Sequence, residues 1–141
     1  NYDVRVCTYA RQLLGSYKYE PQAEVSRVFV GTEAQKNFTV SAKFDADRQM
    51  LFVALSAPAE ANDYIGVFQC DVLSMREANM ADGVRKELGE NVMERWFPVS
   101  LKDTTYKSRH FEVRYFRNDC VVKNGMDTAF IPFAFSNVFD A

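Results

Sequence analysis

Histidine, paired cysteines and long apolar runs are scarce in this sequence of 141 residues. His110 is the only histidine, so a histidine-based triad or a multi-histidine metal site would have to depend on it alone. Motifs typical of P-loop, dinucleotide-binding, zinc-protease and serine-hydrolase sites do not occur. Apolar runs stay well short of the roughly 18 residues that a membrane-spanning helix needs. We therefore predict that the protein is not an enzyme and that it has no cofactor, metal site or transmembrane segment.

An excess of one charge is also missing. The 17 lysine and arginine residues face 19 aspartate and glutamate residues, which leaves a net charge of −2. Such a chain has no overall field that would draw it to nucleic acid or to an anionic membrane, so any such contact must come from a local patch. The composition predicts no nucleic-acid partner.

The cysteines are few and widely spaced. They lie at Cys7, Cys70 and Cys120, an odd number without a Cys-x-x-Cys pair. Small secreted domains held by disulfides carry denser and even sets. The pattern predicts three reduced thiols and a cytoplasmic location. Because the sequence opens on Asn1 rather than methionine, we expect it to be part of a larger protein.

Aromatic residues are abundant, with 12 Phe, 7 Tyr and 1 Trp against 6 Gly and 4 Pro. Large flat side chains pack well on pleated sheets. Apolar and polar residues alternate from Phe38 to Phe44 and from Phe111 to Tyr115, which is typical of half-buried strands. The predicted strands cover residues 25–30, 37–44, 50–55, 63–70, 95–100, 109–117 and 128–135. Strands at this spacing, separated by turns, predict an antiparallel sandwich.

The same alternation predicts which side chains face the core. Gly66 lies inside a predicted strand, where glycine indicates a bulge or a neighbour packed closely on the backbone. The predicted core residues are Phe38, Val40, Phe44, Phe52, Ile65, Val67, Val113, Tyr115 and Phe133.

Two segments interrupt the strand pattern. Apolar spacing of three and four residues favours a short helix over residues 2–14, although the run at 4–9 is equally compatible with a strand. With the polar connector that follows, it forms an N-terminal extension, 1–36, ahead of a sandwich domain, 37–141. Within that domain, Ser74 to Val92 reads as a partly helical insertion. Its loose apolar spacing predicts partner specificity, or a tolerated surface loop, rather than core structure.

Basic residues concentrate between Lys102 and Lys123, where six lysine and arginine residues face three acidic ones. Arg109, Arg114 and Arg117 are the candidate binding residues, for an acidic peptide or a phosphoinositide headgroup. Strand alternation separates Arg114 from the other two, so a solvated face is the interpretation we favour over a shared binding patch.

Acidic residues occur in pairs in the predicted loops, as Asp45 with Asp47 and Glu60 with Asp63. Carboxylates that converge from two loops bind calcium in C2 modules. Aspartate is also common in turns, where its side chain bonds the nearby backbone. We favour the turn roles, and the sequence predicts no metal site.

Three stretches occur together in an order found in a known family. Residues 63–68 read Asp-Tyr-Ile-Gly-Val-Phe, 111–119 read Phe-Glu-Val-Arg-Tyr-Phe-Arg-Asn-Asp, and 129–135 read Ala-Phe-Ile-Pro-Phe-Ala-Phe. This set resembles a SKICH domain, the immunoglobulin-like module of an inositol polyphosphate phosphatase and of coiled-coil autophagy receptors. The resemblance covers about residues 37–135.

With the patterns above, the resemblance leads us to expect an all-β fold, an immunoglobulin-like antiparallel β-sandwich with a short N-terminal helical extension and a partly helical insertion. It implies a non-catalytic interaction module of a larger intracellular protein. Such a module would dock another protein, or recruit its parent to a membrane-associated or cytoskeletal site, through a sheet face or an edge strand. The alternative is a C2-like module that binds phospholipid or another anion.

Overall fold

The computed structural model describes residues 35, 37–103, 105–106, 108–117 and 131–141 with their side chains. It also describes the backbone of strands at 2–4, 7–11, 17–21, 28–30, 121–124 and 127–130. The chain divides into two compact units, Asn1–Lys36 and Asn37–Ala141.

The described part of the first unit contains four short strands, which are β1 (Tyr2–Val4), β2 (Cys7–Arg11), β3 (Tyr17–Pro21) and β4 (Val28–Val30). β1 pairs antiparallel with β4, and β2 pairs antiparallel with β3. The short helix predicted over residues 2–14 is therefore wrong where the structure describes this segment. The β-branched and aromatic residues of the run at 4–9 favour extended backbone, and this preference outweighs the helix-like apolar spacing.

The second unit is built from antiparallel strands. They are β5 (Val40–Asp45), β6 (Met50–Leu55), β7 (Tyr64–Gln69), β8 (Lys86–Glu87), β9 (Glu94–Pro98), β10 (His110–Phe116), β11 (Val121–Asn124), β12 (Asp127–Phe130) and β13 (Ala134–Asp140). One sheet has three strands in the order β5–β6–β9, and a second has four in the order β13–β10–β7–β8. Within the described backbone, β11 pairs with β12. The predicted all-β class is confirmed.

One apolar core lies between the three-stranded and the four-stranded sheet. Seven of the predicted core residues are buried in it, and Phe44 is partly buried against it; the seven are Phe38, Val40, Ile65, Val67, Val113, Tyr115 and Phe133. The prediction for Phe52 is wrong. Leu51, Val53 and Leu55 supply the core face of β6, and Phe52 lies on the opposite face beside Trp96. Because residues 50–55 are apolar on both faces, alternation could not show which face is inside.

β10 is buried on both of its faces. Phe111, Val113 and Tyr115 face the main core. On the other face, Phe116 belongs to a second apolar cluster with Tyr64, Phe68 and Met80. The four-stranded sheet is therefore covered on both sides around its central strands, which explains why so many of its residues are apolar.

Gly66 of β7 lies beneath this second cluster. A Cβ atom at this position would stand 2.6 Å from the Cε atom of Met80 and 2.8 Å from Cε2 of Phe68. Both separations are shorter than van der Waals contact, so only glycine lets Met80 pack here without a shift. The close approach to the backbone predicted at Gly66 is confirmed.

The segment 74–92 is partly helical, as predicted, but its helix is one 3-10 turn at Glu77–Asn79. It contributes to the core, contrary to the predicted surface excursion. Leu88 is fully buried between the sheets, and Met80 is buried in the second cluster. Buried Lys86 donates from Nζ to Asp82. A few buried apolar residues anchor the segment. They do not recur at helical spacing, so the sequence pattern gave no sign of their burial.

Side chains link the two sheets at both sides of the sandwich. At one side, the amide of Asn137 in β13 bonds the backbone of Ala42 in β5. At the other, Arg95 of β9 donates from Nη1 to the carbonyl oxygen of Leu88 at 3.0 Å and to that of Glu87 at 3.4 Å. At each side, these hydrogen bonds from a polar side chain to the backbone connect one sheet to the other.

Candidate functional site

The side chain of Arg109 contacts the C-terminal residue and the loop that precedes β10. Its guanidinium donates to the carbonyl oxygens of Leu101 and Ala141 at 2.7 Å and to that of Asp103 at 2.8 Å. The same group lies 5.7 Å from the ring centre of Tyr106. Although its residue is exposed, the guanidinium already holds together the loop before β10 and the C-terminal residue. This arrangement fits a structural role.

Arg114 is fully buried, which does not fit the predicted binding role at the surface. Its Nε donates to Glu112 at 2.8 Å, and its Nη2 donates to the carbonyl oxygen of Val72 at 2.7 Å. The guanidinium stacks 4.4 Å from the ring centre of Phe68. Paired, hydrogen-bonded and stacked in this way, Arg114 ties the loop after β7 to the outer face of β10.

Arg117 follows the end of β10 at a third location. Its guanidinium lies 3.8 Å from the ring centre of Phe133 and 3.7 Å from the Glu60 carboxylate. The Nε atom is buried and has no hydrogen-bond partner among the described residues. The three predicted arginines contact different parts of the domain, so the structure does not bring them together in one basic patch.

The paired acids act in turns, as the sequence favoured. Asp45 Oδ1 accepts from the backbone N–H groups of Asp47 and Arg48, both at 3.1 Å. Asp63 Oδ2 accepts from the backbone N–H of Glu60 at 2.9 Å and from the hydroxyl of Tyr115. Within the ranges whose side chains are described, no three His, Cys, Asp or Glu residues are grouped as metal ligands would be.

Burial and the carboxylate of Asp63 both raise the pKa of Tyr115 above its ordinary value, because each disfavours the phenolate. Burial is the larger cause. Tyr115 therefore keeps its proton and donates it to Asp63 in a buried hydrogen bond. The pair joins the residue before β7 to β10 and so stabilises the fold there.

Cys70 and the only histidine of the sequence are neighbours, since the backbone N–H of Cys70 donates to the carbonyl oxygen of His110 at 3.0 Å. Cys70 is partly buried and follows directly on the last residue of β7. Cys120 lies outside the described residues, and at Cys7 only the backbone is described. His110 is exposed and contacts the exposed carboxylate of Asp140 through Nδ1.

An aromatic pair stands on the open face of the three-stranded sheet. Phe52 of β6 and Trp96 of β9 are cross-strand neighbours, with ring centres 5.1 Å apart. Trp96 is 50% exposed, although tryptophan usually buries most of its surface. Met50 and Pro98 form the next pair along the same face. We call Met50, Phe52, Trp96 and Pro98 the aromatic face.

Sequence reasoning missed this face. The alternation places Phe52 in the core, and Trp96, within the predicted strand at 95–100, is not among the predicted binding residues. The signal that would have revealed it is the unbroken apolar run at 50–55, because a strand that is apolar on both faces must cover something on each. Among the residues described with side chains, the core covers the inner face, and Trp96 on the outer face is 50% exposed.

No family model, no curated protein and no solved structure matches this chain. The described residues include no helix that is both long and apolar enough to cross a membrane.

Proposed function

We propose that this chain is a non-catalytic interaction module of a larger protein, and that it docks another protein through the aromatic face. The exposed Trp96 beside Phe52 is the observation that carries the proposal. Burying apolar surface stabilises a protein by about 25 cal/mol per Å². Because half of Trp96 is exposed to water, much of that stabilisation is not realised in this chain. A partner that covers the ring recovers that free energy.

The character of the aromatic face supports protein docking. Tryptophan and methionine are enriched at the centres of protein interfaces, where aromatic anchors supply most of the binding energy. Lys43 of β5 lies opposite Phe52, and Glu94 lies two residues before Trp96 in β9. This mixture of an apolar centre and a charged rim of both signs suits a protein surface better than a phosphate-rich one.

The sequence resemblance points the same way. The SKICH-like stretches contribute the central strands β7 and β10, and an immunoglobulin-like sandwich that serves as a cytoplasmic docking domain accounts for them. The arginines expected to form an anion site donate mainly to groups of the domain itself. They give the C2-like alternative no support.

Partner capture with a matched pair of variants tests the proposal. Partners would be captured on the immobilised domain, identified and purified, and their Kd measured for the unchanged chain, Trp96→Ala and Val138→Ala. Val138 is 55% exposed on β13, away from the aromatic face, and serves as the control. We expect Trp96→Ala to weaken binding by about tenfold or more and Val138→Ala to have little effect.

Equal binding by both variants would overturn the proposal. So would a domain that captures no partner but binds anionic vesicles in a salt-sensitive manner, because that result belongs to the anion-binding alternative.

A further inference from the structure

We propose that the partner binds as an extended antiparallel strand along the free edge of β9, next to Trp96. This inference deepens the proposed function, because it names the class of segment that the aromatic face receives. It rests on the direction of the backbone groups in β9 and on the charges beside them.

The pattern of alternating hydrogen bonds between β6 and β9 determines which backbone groups of β9 point away from the sheet. The N–H of Leu55 donates to the carbonyl of Met93 at 2.7 Å, and the N–H of Val99 donates to the carbonyl of Gln49 at 3.0 Å. Bonded pairs in an antiparallel ladder occur at every second residue. The odd-numbered residues of β9 therefore bond β6, and Glu94, Trp96 and Pro98 direct their backbone groups away from it.

The hydrogen bonds between β6 and β5 agree with this assignment. The N–H of Ser56 donates to the carbonyl of Thr39 at 3.0 Å, so the even-numbered residues of β6 bond β5. Phe52 and Trp96 are then a non-bonded pair, in which side chains approach most closely. Their ring separation of 5.1 Å agrees with this.

The free edge of β9 carries five backbone groups. They are the N–H and C=O groups of Glu94 and Trp96 and the C=O group of Pro98. Across the residues described with side chains, no donor or acceptor bonds any of the five. All three residues are exposed, so a strand can reach them.

Side chains already bond parts of the edges of β5 and β8 in the two larger sheets. Asn137 bonds the outward backbone groups of Ala42 in β5, at the side where β13 lies. Arg95 bonds the carbonyls of Glu87 and Leu88 at the edge of β8. An unpaired edge is the feature that strand addition uses, since main-chain bonds supply affinity and alternate side chains supply specificity.

The side chains of β9 define the order of residues in the added strand. The residue opposite Trp96 lies on the aromatic face and is apolar. The next residue faces the exposed Arg95 and is acidic, and the one after it faces Glu94 and is basic. The segment thus reads apolar, acidic, basic from its N-terminal end.

A second copy of this chain fits the edge less well than such a peptide. A two-fold pair centred on Trp96 sets Pro98 of each copy opposite Glu94 of the other. Pro98 has no N–H, so the carbonyl of Glu94 loses its partner twice. The two-fold pair centred on Arg95 sets two arginines against each other. A peptide without proline bonds all five groups.

A synthetic peptide tests the edge itself. The acetylated hexapeptide Thr-Val-Val-Glu-Lys-Thr places its second valine opposite Trp96. Amide hydrogen exchange of the whole chain would be followed by NMR with the peptide at millimolar concentration. We expect the N–H groups of Glu94 and Trp96 to become protected, and those of Arg95 and Phe97, which already bond β6, to stay unchanged.

Two control peptides make the result specific. N-methylation of the second valine removes the donor to the carbonyl of Trp96 and should abolish protection. Exchanging Glu and Lys should weaken it. Fluorescence of Trp96, the only tryptophan, supplies a second readout and should shift to shorter wavelength on binding. Exchange of Glu94 and Trp96 that is unaffected by the parent peptide, or protection that survives N-methylation, overturns the inference.

A pair of variants separates this inference from the proposed function. Glu94→Pro removes an outward N–H, whereas Glu94→Ala removes the same carboxylate and keeps that N–H. With a captured partner, we expect Glu94→Pro to bind about tenfold more weakly than Glu94→Ala at equal thermal stability. If both variants bind alike while Trp96→Ala fails to bind, the partner docks on the aromatic face by side chains alone, and only the strand-addition inference is lost.

Discussion

The side-chain amide of Asn137 bonds both backbone groups of Ala42, accepting from its N–H and donating to its C=O, each at 2.9 Å. The amide thereby acts as one residue of an absent strand and joins β13 of one sheet to β5 of the other. Because Ala42 is buried, its backbone groups have little access to water as an alternative partner.

We expect Asn137→Ala to lower the free energy of unfolding by about 1–3 kcal/mol, because it leaves two backbone groups of Ala42 without partners. Denaturant unfolding followed by circular dichroism measures the change. The neighbouring substitution Val138→Ala, at an exposed position, should stay within about 0.5 kcal/mol of the unchanged chain. Equal effects of the two substitutions would contradict the role assigned to Asn137.

The buried pair of Glu112 and Arg114 should show strong coupling. Arg114→Met removes the cation that pairs with the buried carboxylate of Glu112, and we expect a loss of about 3–5 kcal/mol. Adding Glu112→Leu removes that buried carboxylate as well and should restore much of the loss. A double-mutant cycle by denaturant unfolding gives the coupling energy, and simple additivity of the two losses would argue against a mutually dependent pair.

Leu88 and Val84 test how far the segment 74–92 belongs to the core. Leu88 is fully buried and Val84 is 55% exposed, though both lie in the same segment. We expect Leu88→Ala to cost about 2–5 kcal/mol through the cavity it creates. Val84→Ala should change stability by less than about 0.5 kcal/mol. If thermal unfolding gave the two variants the same melting temperature, the segment would be a surface loop after all.

Tyr115 should make the domain sensitive to alkaline pH. Its pKa is raised in the folded state, mainly by burial and then by Asp63, so the unfolded chain loses this proton first as the pH rises. The stabilising contribution is complete below the ordinary tyrosine pKa of about 10 and declines as the pH rises above it.

We therefore expect Tyr115→Phe to be less stable than the unchanged chain at pH 8, and the gap to narrow from pH 10 to pH 11. Melting temperatures of both proteins across this range measure the effect. A gap that stays constant or widens with pH would show that the proton of Tyr115 is not involved.

The pattern of polar and apolar residues was enough to predict β5, β6, β7, β9 and β10 and most of the core. Val40, Val67 and Val113 each lie in a period-two pattern, and each is buried. The same rule failed at Phe52, because a strand that is apolar on both faces carries no alternation to interpret. Local spacing also failed at residues 2–14, where strand propensity decided the outcome.

The candidate site depended on relations that a sequence does not show. Arg114 looked exposed because charged residues in an alternating strand usually face solvent, yet the loop after β7 folds over that face and buries it. The open position of Trp96 follows from which strand lies at the edge of its sheet. Strand order comes from long-range pairing, and only the three-dimensional structure reveals it.

The two charges at the centre of β10 matter before the domain has folded as well as afterwards. Without them, residues 111–116 would be an uninterrupted run of aromatic and β-branched side chains, the kind of segment that joins other chains into cross-β aggregates. Glu112 and Arg114 interrupt that run while the nascent chain is still open, and the native fold then pairs and covers them. Replacing both by apolar residues would therefore yield a domain that resists denaturant but is lost to aggregation during its synthesis.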